Sequence, residues 1–387
     1  MSAFLYWLGV VIGALWVARG LDTAYNYYGF PDLTKPEHDL PAPGARLSVV
    51  VPARNEEKMI GKGLQSLLKL DYPDYEIIAV DDRSEDRTGI IMESLAAKPE
   101  AQGKLKVIHI TELPPDWLGK AHAMWTGAKA ATGDWILFTD ADVVFAPESL
   151  RRAVGFAERT RADHLVLFPT IETHNLGEAM MNAFFQLTFG TMFGPRRVAD
   201  PKWKMVYVGA GAFNLVRRSA YEAMGTYAAL RYDVIDDLNL GKLIKRAGFQ
   251  QRMAMGLGLL RLRWIEGTMG MTQNLTKNAF AAFRYSVSIT VLLMAAGVIL
   301  NVLPFAAPLL PWPISQGYWV ALAAILAFYL GMWWRVGTSP LLFVLHPVSF
   351  LIMSSAVVQS VGSTLRNGGV VWRGTRYPLE ELRRRRA

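Results

Sequence analysis

The chain has 387 residues, of which 52% are hydrophobic and 19% are charged, so it is richer in apolar residues than a typical soluble protein. This length suits one α/β domain together with several membrane segments. The absence of cysteine excludes a disulfide scaffold, a thiolate metal site and a cysteine nucleophile. The net charge of +8 arises from basic residues beside apolar runs and at the C-terminus. We interpret these as membrane-flanking charges, and no motif for nucleic-acid recognition accompanies them.

The N-terminal segment predicts a retained membrane anchor over residues 1–20. Phe4–Ala18 carries no charge, and Arg19 follows directly. A cleaved signal peptide is the competing interpretation, but no basic region precedes the apolar run and aromatic residues crowd the expected cleavage site. We therefore expect Arg19 on the cytoplasmic side. The proline-rich residues 21–45 predict an extended linker.

Residues 46–270 alternate β-branched runs with helical segments and predict an α/β domain. Strands are expected at 47–52, 76–82, 105–110 and 135–142, and helices at 56–70, 88–97 and 121–131. This alternation is typical of a parallel, doubly wound, Rossmann-like sheet. Ligands of such sheets bind at the carboxyl ends of the strands.

Acidic residues fall at those strand ends. Asp81 and Asp82 end the second predicted strand, and Asp140 and Asp142 end the fourth. Paired carboxylates suit Mg²⁺ or Mn²⁺, which also take ligands from substrate phosphates. The D-x-D pattern alone is weak, but two charges directly after a buried strand would be costly without a metal or partner.

Three further features predict contacts with a nucleotide. The turn Pro52-Ala53-Arg54-Asn55-Glu56 and Lys120 each precede a predicted helix, where backbone N–H groups can meet phosphate. Asp82 can accept hydrogen bonds from a base or ribose. Ordinary turn and capping chemistry remains the alternative for each residue taken singly.

Two sites toward the end of the domain carry open alternatives. Asp236 and Asp237 precede a helix, either compensating its dipole or supplying a general base. Arg263 and Trp264 either bind the diphosphate or sugar, or anchor the chain at a membrane interface. The apolar stretch Met180–Phe193 is too short to span a bilayer; it belongs to the core or lies at the interface and admits a lipid.

Residues 271–365 predict two or three membrane segments, followed by a basic tail at 366–387. Prolines divide the uncharged stretch into spans at Ser286–Leu310 and Tyr318–Trp334, and a third apolar run covers Pro340–Val361. An anchor and three spans would place Arg366, Arg373, Arg376 and the terminal arginines outside, against the positive-inside rule. We therefore expect one run, that of His346-Pro347, to be re-entrant or interfacial.

The ordered motifs resemble family 2 glycosyltransferases with a GT-A fold. The motifs are VVVPARNEE, IAVDDRSEDRT, GDWILFTDAD, GAGAFNLVRRSAYE and VIDDLNLG, and the resemblance covers about residues 47–270. The anchor, WLGKAHA, IDDL, FRYS at Phe283–Ser286 and VWRGTRY resemble bacterial lipid-modifying members. Those members include hopanoid-associated, carotenoid and ceramide glucosyltransferase-like enzymes.

The resemblance implies a role for each matching residue. It implies nucleotide contacts at Pro52, Ala53, Arg54, Glu56 and Asp82, metal and diphosphate binding at Asp140 and Asp142, and a general base at Asp237, with Asp236 in place of the usual Glu. Leu260 stands where the family's Q-x-x-R-W motif has Gln, although Arg263 and Trp264 are present. This departure argues against a processive polysaccharide synthase.

The sequence therefore predicts a multi-pass inner-membrane enzyme with a cytoplasmic catalytic domain. The expected reaction moves one sugar, with inversion, from a nucleotide-diphosphate sugar such as a UDP-sugar to a lipid-like acceptor. A polysaccharide or polyprenyl-phosphate sugar transferase of the same fold is the first alternative. A membrane protein that binds nucleotide without catalysis is the second.

The topology hypothesis predicts that the C-terminus is cytoplasmic. A C-terminal tag should resist protease in intact cells and become accessible after the inner membrane is opened. A tag digested from the periplasmic side in intact spheroplasts would contradict a re-entrant or interfacial third run.

Overall fold

The computed structural model describes residues 2–39, 44–264, 266, 267, 270, 279–372 and 375–384. Pro41 and Pro43 of the predicted linker and Arg373, Arg385 and Arg386 of the tail lie outside the described residues. The chain divides into two compact units. We call Gly29–Glu172 with Pro195–Arg263 the sheet unit, and Met1–Tyr28, Thr173–Gly194 and Trp264–Arg385 the helical unit.

The strands and helices have the following bounds. The strands are β1 Leu47–Ala53, β2 Tyr75–Asp82, β3 Leu105–Ile110, β4 Trp135–Phe138, β5 Val144–Phe145, β6 His164–Ile171, β7 Asn214–Arg217, β8 Gln251–Leu262, β9 Gly369–Trp372 and β10 Thr375–Pro378. The helices are α1 Ser2–Tyr27, α2 Ile60–Leu68, α3 Thr88–Ala96, α4 Gly119–Ala130, α5 Ser149–Arg159, α6 Leu176–Met192, α7 Pro195–Ala199, α8 Arg218–Ala223, α9 Asp236–Arg246, α10 Ala279–Ala282, α11 Val287–Asn301, α12 Gln316–Val336, α13 His346–Arg366 and α14 Leu379–Arg384. Short 3₁₀ turns occupy Pro36–His38, Pro99–Ala101, Tyr227–Leu230, Leu303–Leu309 and Pro340–Leu345.

The sheet unit is built on an eight-stranded sheet in the order β3-β2-β1-β4-β7-β6-β8-β5. The first four strands in this order are parallel, as the sequence predicts. Every residue of β1 is buried, which is typical of a parallel strand covered by helices on both faces. The sheet as a whole is mixed, because β7 runs antiparallel to both β4 and β6.

Two predicted boundaries near the site differ from the structure. The first helix begins at Ile60 and not at Glu56, because the backbone N–H groups of residues 55–57 donate to side chains of the next loop. The fourth strand ends at Phe138 and not at residue 142. Beyond it, the Thr139 hydroxyl donates to the Ala212 carbonyl and the Asp140 N–H to the Gly211 carbonyl. These contacts turn the chain out of the sheet and free both acids of the D-x-D motif.

The helical unit contains four helices, among the described residues, that are long and apolar enough to cross a membrane. They cover Ser2–Tyr27, Val287–Leu309, Gln316–Val336 and Pro340–Arg366. The first extends beyond the predicted anchor boundary at residue 20. His346-Pro347 does not interrupt a helix but opens α13, because proline is well tolerated in a first helical turn.

Close backbone approach holds α1 against α12. A Cβ atom on Gly317 would lie 2.1 Å from the Gly9 carbonyl carbon, and one on Gly13 would lie 2.6 Å from the Gly317 carbonyl oxygen. Small residues allow such approach between apolar helices. The Trp16 Nε1–H donates to the Leu300 carbonyl at 2.8 Å. These contacts give the unit a packed core that includes Ile12 and Tyr318.

Helices α2 and α9 allow a matched test of glycine packing. A Cβ on Gly241 in α9 would lie 1.7 Å from the Val208 carbonyl oxygen, whereas one on Gly61 in α2 would meet Ile91 at an ordinary 3.4 Å. We expect Gly241→Ala to lower the free energy of unfolding by about 1–3 kcal/mol through overpacking. Gly61→Ala should be neutral or stabilising by up to about 1 kcal/mol through helix propensity. Thermal unfolding of both full-length variants in detergent measures these changes in stability. Equal changes in the two variants would contradict the close packing at Gly241.

Candidate active site

The turn after β1 is tied to the turn after β2. The N–H groups of Asn55 and Glu56 donate to the hydroxyls of Ser84 and Thr88, at 3.1 and 2.7 Å. In return the Asn55 side-chain oxygen accepts the Glu85 N–H at 2.8 Å. Asn55 has a φ of 56°, in the left-handed region that Asn tolerates better than most residues. The turn therefore has one defined conformation.

The predicted nucleotide-binding residues lie around these two turns. Pro52 and Ala53 are the last residues of β1, and they pair in register with Val80 and Asp81 of β2. Arg54 lies in the turn itself and is partly exposed. These residues thus share the carboxyl edge of the parallel strands.

The adjacent acids Asp81 and Asp82 have different surroundings. The two oxygens of Asp81 contact the Ser84 N–H at 3.2 Å and His109 Nδ1 at 3.0 Å. Hydrogen bonds to Glu93 and to Asp81 raise the pKa of His109, although its burial acts in the opposite direction. Asp82 is held by both ends of the Arg83 guanidinium at 2.8 and 3.1 Å.

Asp82 also lies against the start of α4. A Cβ atom on Gly119 would come within 2.4 Å of its Oδ2, so only glycine leaves room there. Asp82 therefore faces a helix N-terminus, where a nucleoside or phosphate is readily bound. Asp81, by contrast, stabilises the turn through its contacts with Ser84 and His109.

Lys120, in the first turn of α4, is the cation at the centre of an acidic cluster. Its Nζ lies 2.6 Å from Asp140 Oδ1. Burial by itself lowers the pKa of Lys120, but the charges of Asp140, Asp236 and Asp237 raise it above the ordinary lysine value. Lys120 is therefore charged at neutral pH, and it compensates several carboxylates at once.

Gly211 connects the two acidic motifs. Its N–H donates to Asp237 Oδ2 at 2.9 Å, and its carbonyl accepts the Asp140 N–H at 3.0 Å. A Cβ atom at Gly211 would lie 2.3 Å from Asp140 Oδ2. Gly211 belongs to the motif GAGAFNLVRRSAYE, but no role was predicted for it. Its sequence signal is the run Gly209-Ala210-Gly211 between the two acidic segments.

Asp236 and Asp237 are not equivalent. Asp236 is buried and accepts a long hydrogen bond of 3.4 Å from the Tyr227 hydroxyl. Its burial raises its pKa to about 7, even though Lys120 acts to lower it. Asp237 is half-buried, and burial raises its pKa as well. Asp237 is thus the less buried member of the pair, and its two carboxylate oxygens accept the N–H groups of Gly211 and Leu238.

A buried polar network supports the middle of α9. Gln251 Nε2 donates to the Gly241 carbonyl at 2.6 Å and contacts His164 Nδ1 at 2.9 Å. His164 Nε2 lies 3.0 Å from Asn214 Oδ1, which also accepts the Ala210 N–H. Burial lowers the pKa of His164 to about 4, so this histidine is neutral. Sequence reasoning missed the network, because its members are distant in the chain.

A cavity of about 390 Å³ opens beside Asp142 in the sheet unit. Its lining includes Asp142, Glu172 and Arg263, and also Lys62 and Arg261, two cations that the sequence analysis missed. Burial, together with the charges of Asp140 and Glu56, raises the pKa of Asp142 to about 7. Trp264 belongs to the helical unit, where its ring packs on Phe185 with centroids 4.3 Å apart.

The acids at this edge fit a divalent cation. Among the residues described, no three His, Cys, Asp or Glu side chains are grouped as a complete protein-only metal site. Mg²⁺ and Mn²⁺ do not require one, because they take one or two carboxylates and complete their shell with water and phosphate oxygens. The negative charges of Asp140 and Glu56 repel the Asp142 carboxylate, and a bound cation would reduce this repulsion.

Comparison with known proteins agrees with this geometry. Residues 48–225 match the family model for glycosyl transferase family 2. The chain is 25% identical over 345 residues to the 4,4'-diaponeurosporenoate glycosyltransferase of Staphylococcus aureus strain MRSA252, an alignment covering 87% of this chain and 89% of that protein.

A solved structure shares the fold. A mannosyltransferase from Pyrobaculum calidifontis, in complex with GDP-Man and Mn²⁺, superposes with a TM-score of 0.53 and 18% sequence identity. The superposition covers 93% of this chain and 99% of that one. The chain therefore carries a family 2 glycosyltransferase domain with a GT-A fold, and it is a glycosyltransferase.

Proposed function

We propose that the protein transfers a single sugar, with inversion, from a nucleotide-diphosphate sugar to a lipid-like acceptor at the cytoplasmic membrane face. The observation that carries the proposal is the arrangement of Asp237 around Gly211. The carboxylate of the partly exposed Asp237 is oriented by the Gly211 N–H at 2.9 Å, and the same glycine holds the backbone of Asp140. A base and a donor-binding acid are thereby fixed to one short loop.

The nucleoside and the diphosphate of the sugar donor match separate groups of residues at the edge of the sheet. Asp82, beside the N-terminus of α4, is suited to the base or ribose, and the turn Pro52–Glu56 borders the same space. Asp140 and Asp142 would hold Mg²⁺ or Mn²⁺, which would neutralise charge on the diphosphate when bound. Lys120 supplies a further positive charge beside Asp140. A UDP-sugar is the donor we expect.

The chemical step follows from the position of Asp237. Asp237 accepts the proton of the acceptor hydroxyl as its oxygen forms a bond to the anomeric carbon. The bond from that carbon to the nucleotide diphosphate breaks, and the diphosphate departs with the electron pair. Asp236, buried under Tyr227, acts as a positioning residue for the first turn of α9.

Two observations support a lipid-like acceptor. Four helices in the described part of the chain are long and apolar enough to cross a membrane. The Staphylococcus aureus relative is named a 4,4'-diaponeurosporenoate glycosyltransferase. Leu260, in place of the Gln of the Q-x-x-R-W motif, favours single transfer over the alternative of polysaccharide synthesis. A polyprenyl-phosphate acceptor remains the second candidate, because Lys62, Arg261 and Arg263 line the cavity beside Asp142.

Product analysis tests the proposal. Membranes containing the full chain, incubated with radiolabelled UDP-sugars, should yield label in the organic extract. Asp237→Asn should reduce turnover by about 10²–10⁴-fold while nucleotide binding persists, because it removes the base and keeps the shape. Asp233→Asn is the control, since an amide oxygen there can still accept from Asn239. Label found only in water-soluble polymer, or unchanged turnover in Asp237→Asn, would overturn the proposal.

The metal assignment predicts loss of activity in excess EDTA and recovery on addition of Mn²⁺. A second readout is Mn²⁺ binding in the presence of UDP, measured by electron paramagnetic resonance. Asp142→Asn should weaken this binding by at least tenfold, whereas Asp71→Asn, an exposed acid of the same unit, should leave it unchanged. Activity that persists in EDTA would contradict the role given to Asp140 and Asp142.

A further inference from the structure

Helix α6 of the helical unit presents a row of aromatic rings. Trp264 packs on Phe185, Phe185 on Phe189 and Phe189 on Phe193, with successive centroid separations of 4.3, 5.0 and 4.4 Å. The three phenylalanines are spaced by four residues, which places them on one face of the helix. We call these four residues the aromatic stripe.

The opposite side of α6 is anchored in the unit's core. Met180 and Leu187 belong to the buried cluster that includes Trp16 and Tyr318, and Phe184 packs against His346. Phe185 also packs against the edge of this cluster, but both Phe185 and Phe189 remain partly exposed. The helix therefore has a packed face and an aromatic face that is only partly covered. After Glu178 it contains no charged residue.

Both ends of the stripe are fixed by hydrogen bonds. Asn175 caps the start of α6 by accepting the Glu178 N–H at 2.9 Å, and the Glu178 carboxylate accepts the Gly267 N–H at 2.7 Å, which holds Gly267 against the helix. At the other end, the Tyr27 hydroxyl donates to the Phe193 carbonyl at 3.1 Å. The row of rings is therefore pre-organised, which lowers the entropic cost of binding a ligand along it.

A polar group lies on the same face near the Trp264 end. Asn182 precedes Phe185 by three residues and is 6% exposed. Its Oδ1 has no hydrogen-bond partner within the part of the chain that the structure describes. A buried acceptor of this kind is costly unless a donor satisfies it. The stripe thus combines a long apolar surface with an unsatisfied acceptor at one end.

We propose that the aromatic stripe binds the apolar tail of the acceptor, with a donor group of the bound molecule directed to Asn182. This inference rests on the proposed transfer to a lipid-like acceptor, and it assigns the residues that recognise the acceptor's tail. A row one ring wide suits an extended chain. It is too small for a second protein copy, because a stable interface needs about 800 Å² from each partner. Phe193 is already buried, and the other three rings would supply at most about 750 Å² even if fully exposed, at about 250 Å² each.

Photolabelling tests the stripe without relying on turnover. The full chain in detergent is labelled with a 16-carbon alcohol that carries a mid-chain diazirine, with and without excess 1-hexadecanol, and the labelled peptides are mapped. We expect label that hexadecanol displaces on the peptide containing Phe185 and Phe189. Phe185→Ala and Phe189→Ala should each weaken this binding at least fivefold, the effect of losing about 1 kcal/mol.

The controls separate recognition from folding. Leu176→Ala removes an exposed side chain of α6, two and a half turns before Phe185 and on the opposite side of the helix, and should leave the labelling unchanged. Phe185→Leu retains apolar bulk and should weaken the binding less than Phe185→Ala if the variants remain folded. Asn182→Leu should abolish the preference for hexadecanol over its methyl ether as competitor.

The outcomes also separate this inference from the proposed reaction. Displaceable label at the stripe without sugar transfer to any lipid would retain the stripe and overturn the reaction. Sugar transfer to lipid with no displaceable label on α6, or with labelling insensitive to Phe185→Ala and Phe189→Ala, would overturn the stripe. Cross-linking of α6 to a second copy in place of the alcohol would also overturn it.

Discussion

The ion pair between Lys120 and Asp140 is the interaction on which the active site depends. Three carboxylates, those of Asp140, Asp236 and Asp237, act on one largely buried ammonium group. Charges withdrawn from water are tolerated only when they are paired and hydrogen-bonded. The sheet contributes one side of this cluster through the chain after β4, and the first turns of α4 and α9 contribute the other. Substrate binding at this edge would therefore redistribute charge among groups that are already coupled.

Much of the sheet could be predicted because local sequence and burial agree. LSVVVPA and EIIAVDD are continuous apolar runs that end in turn-forming residues, as buried parallel strands should. The acids at their ends are consequently placed by topology alone. The strand NLVR at 214–217 is too short for such a signal, and its antiparallel pairing with β4 depends on contacts that only the folded chain provides.

The parts of the site that escaped prediction depend on long-range contacts or on backbone atoms. Lys62 and Arg261 are exposed, unremarkable cations in the sequence, and only the cavity beside Asp142 brings them together. Gly211 acts through its N–H and carbonyl, which sequence chemistry does not display. His346-Pro347 lies at the start of α13, where the proline ring meets no preceding turn, so the helix runs on to Arg366. The re-entrant or interfacial placement predicted for this run stays a prediction.

The path of the chain has a practical consequence for isolating the catalytic part. The sheet unit is not contiguous, because residues Thr173–Gly194 leave it and pack within the helical unit. A fragment cut as one piece from residue 29 to 263 would retain α6 but lose the partners of Met181, Phe184 and Leu187. Their uncovered side chains would favour aggregation. A soluble fragment therefore requires that residues Thr173–Gly194 be replaced by a short polar loop, so that the two parts of the sheet unit are joined directly.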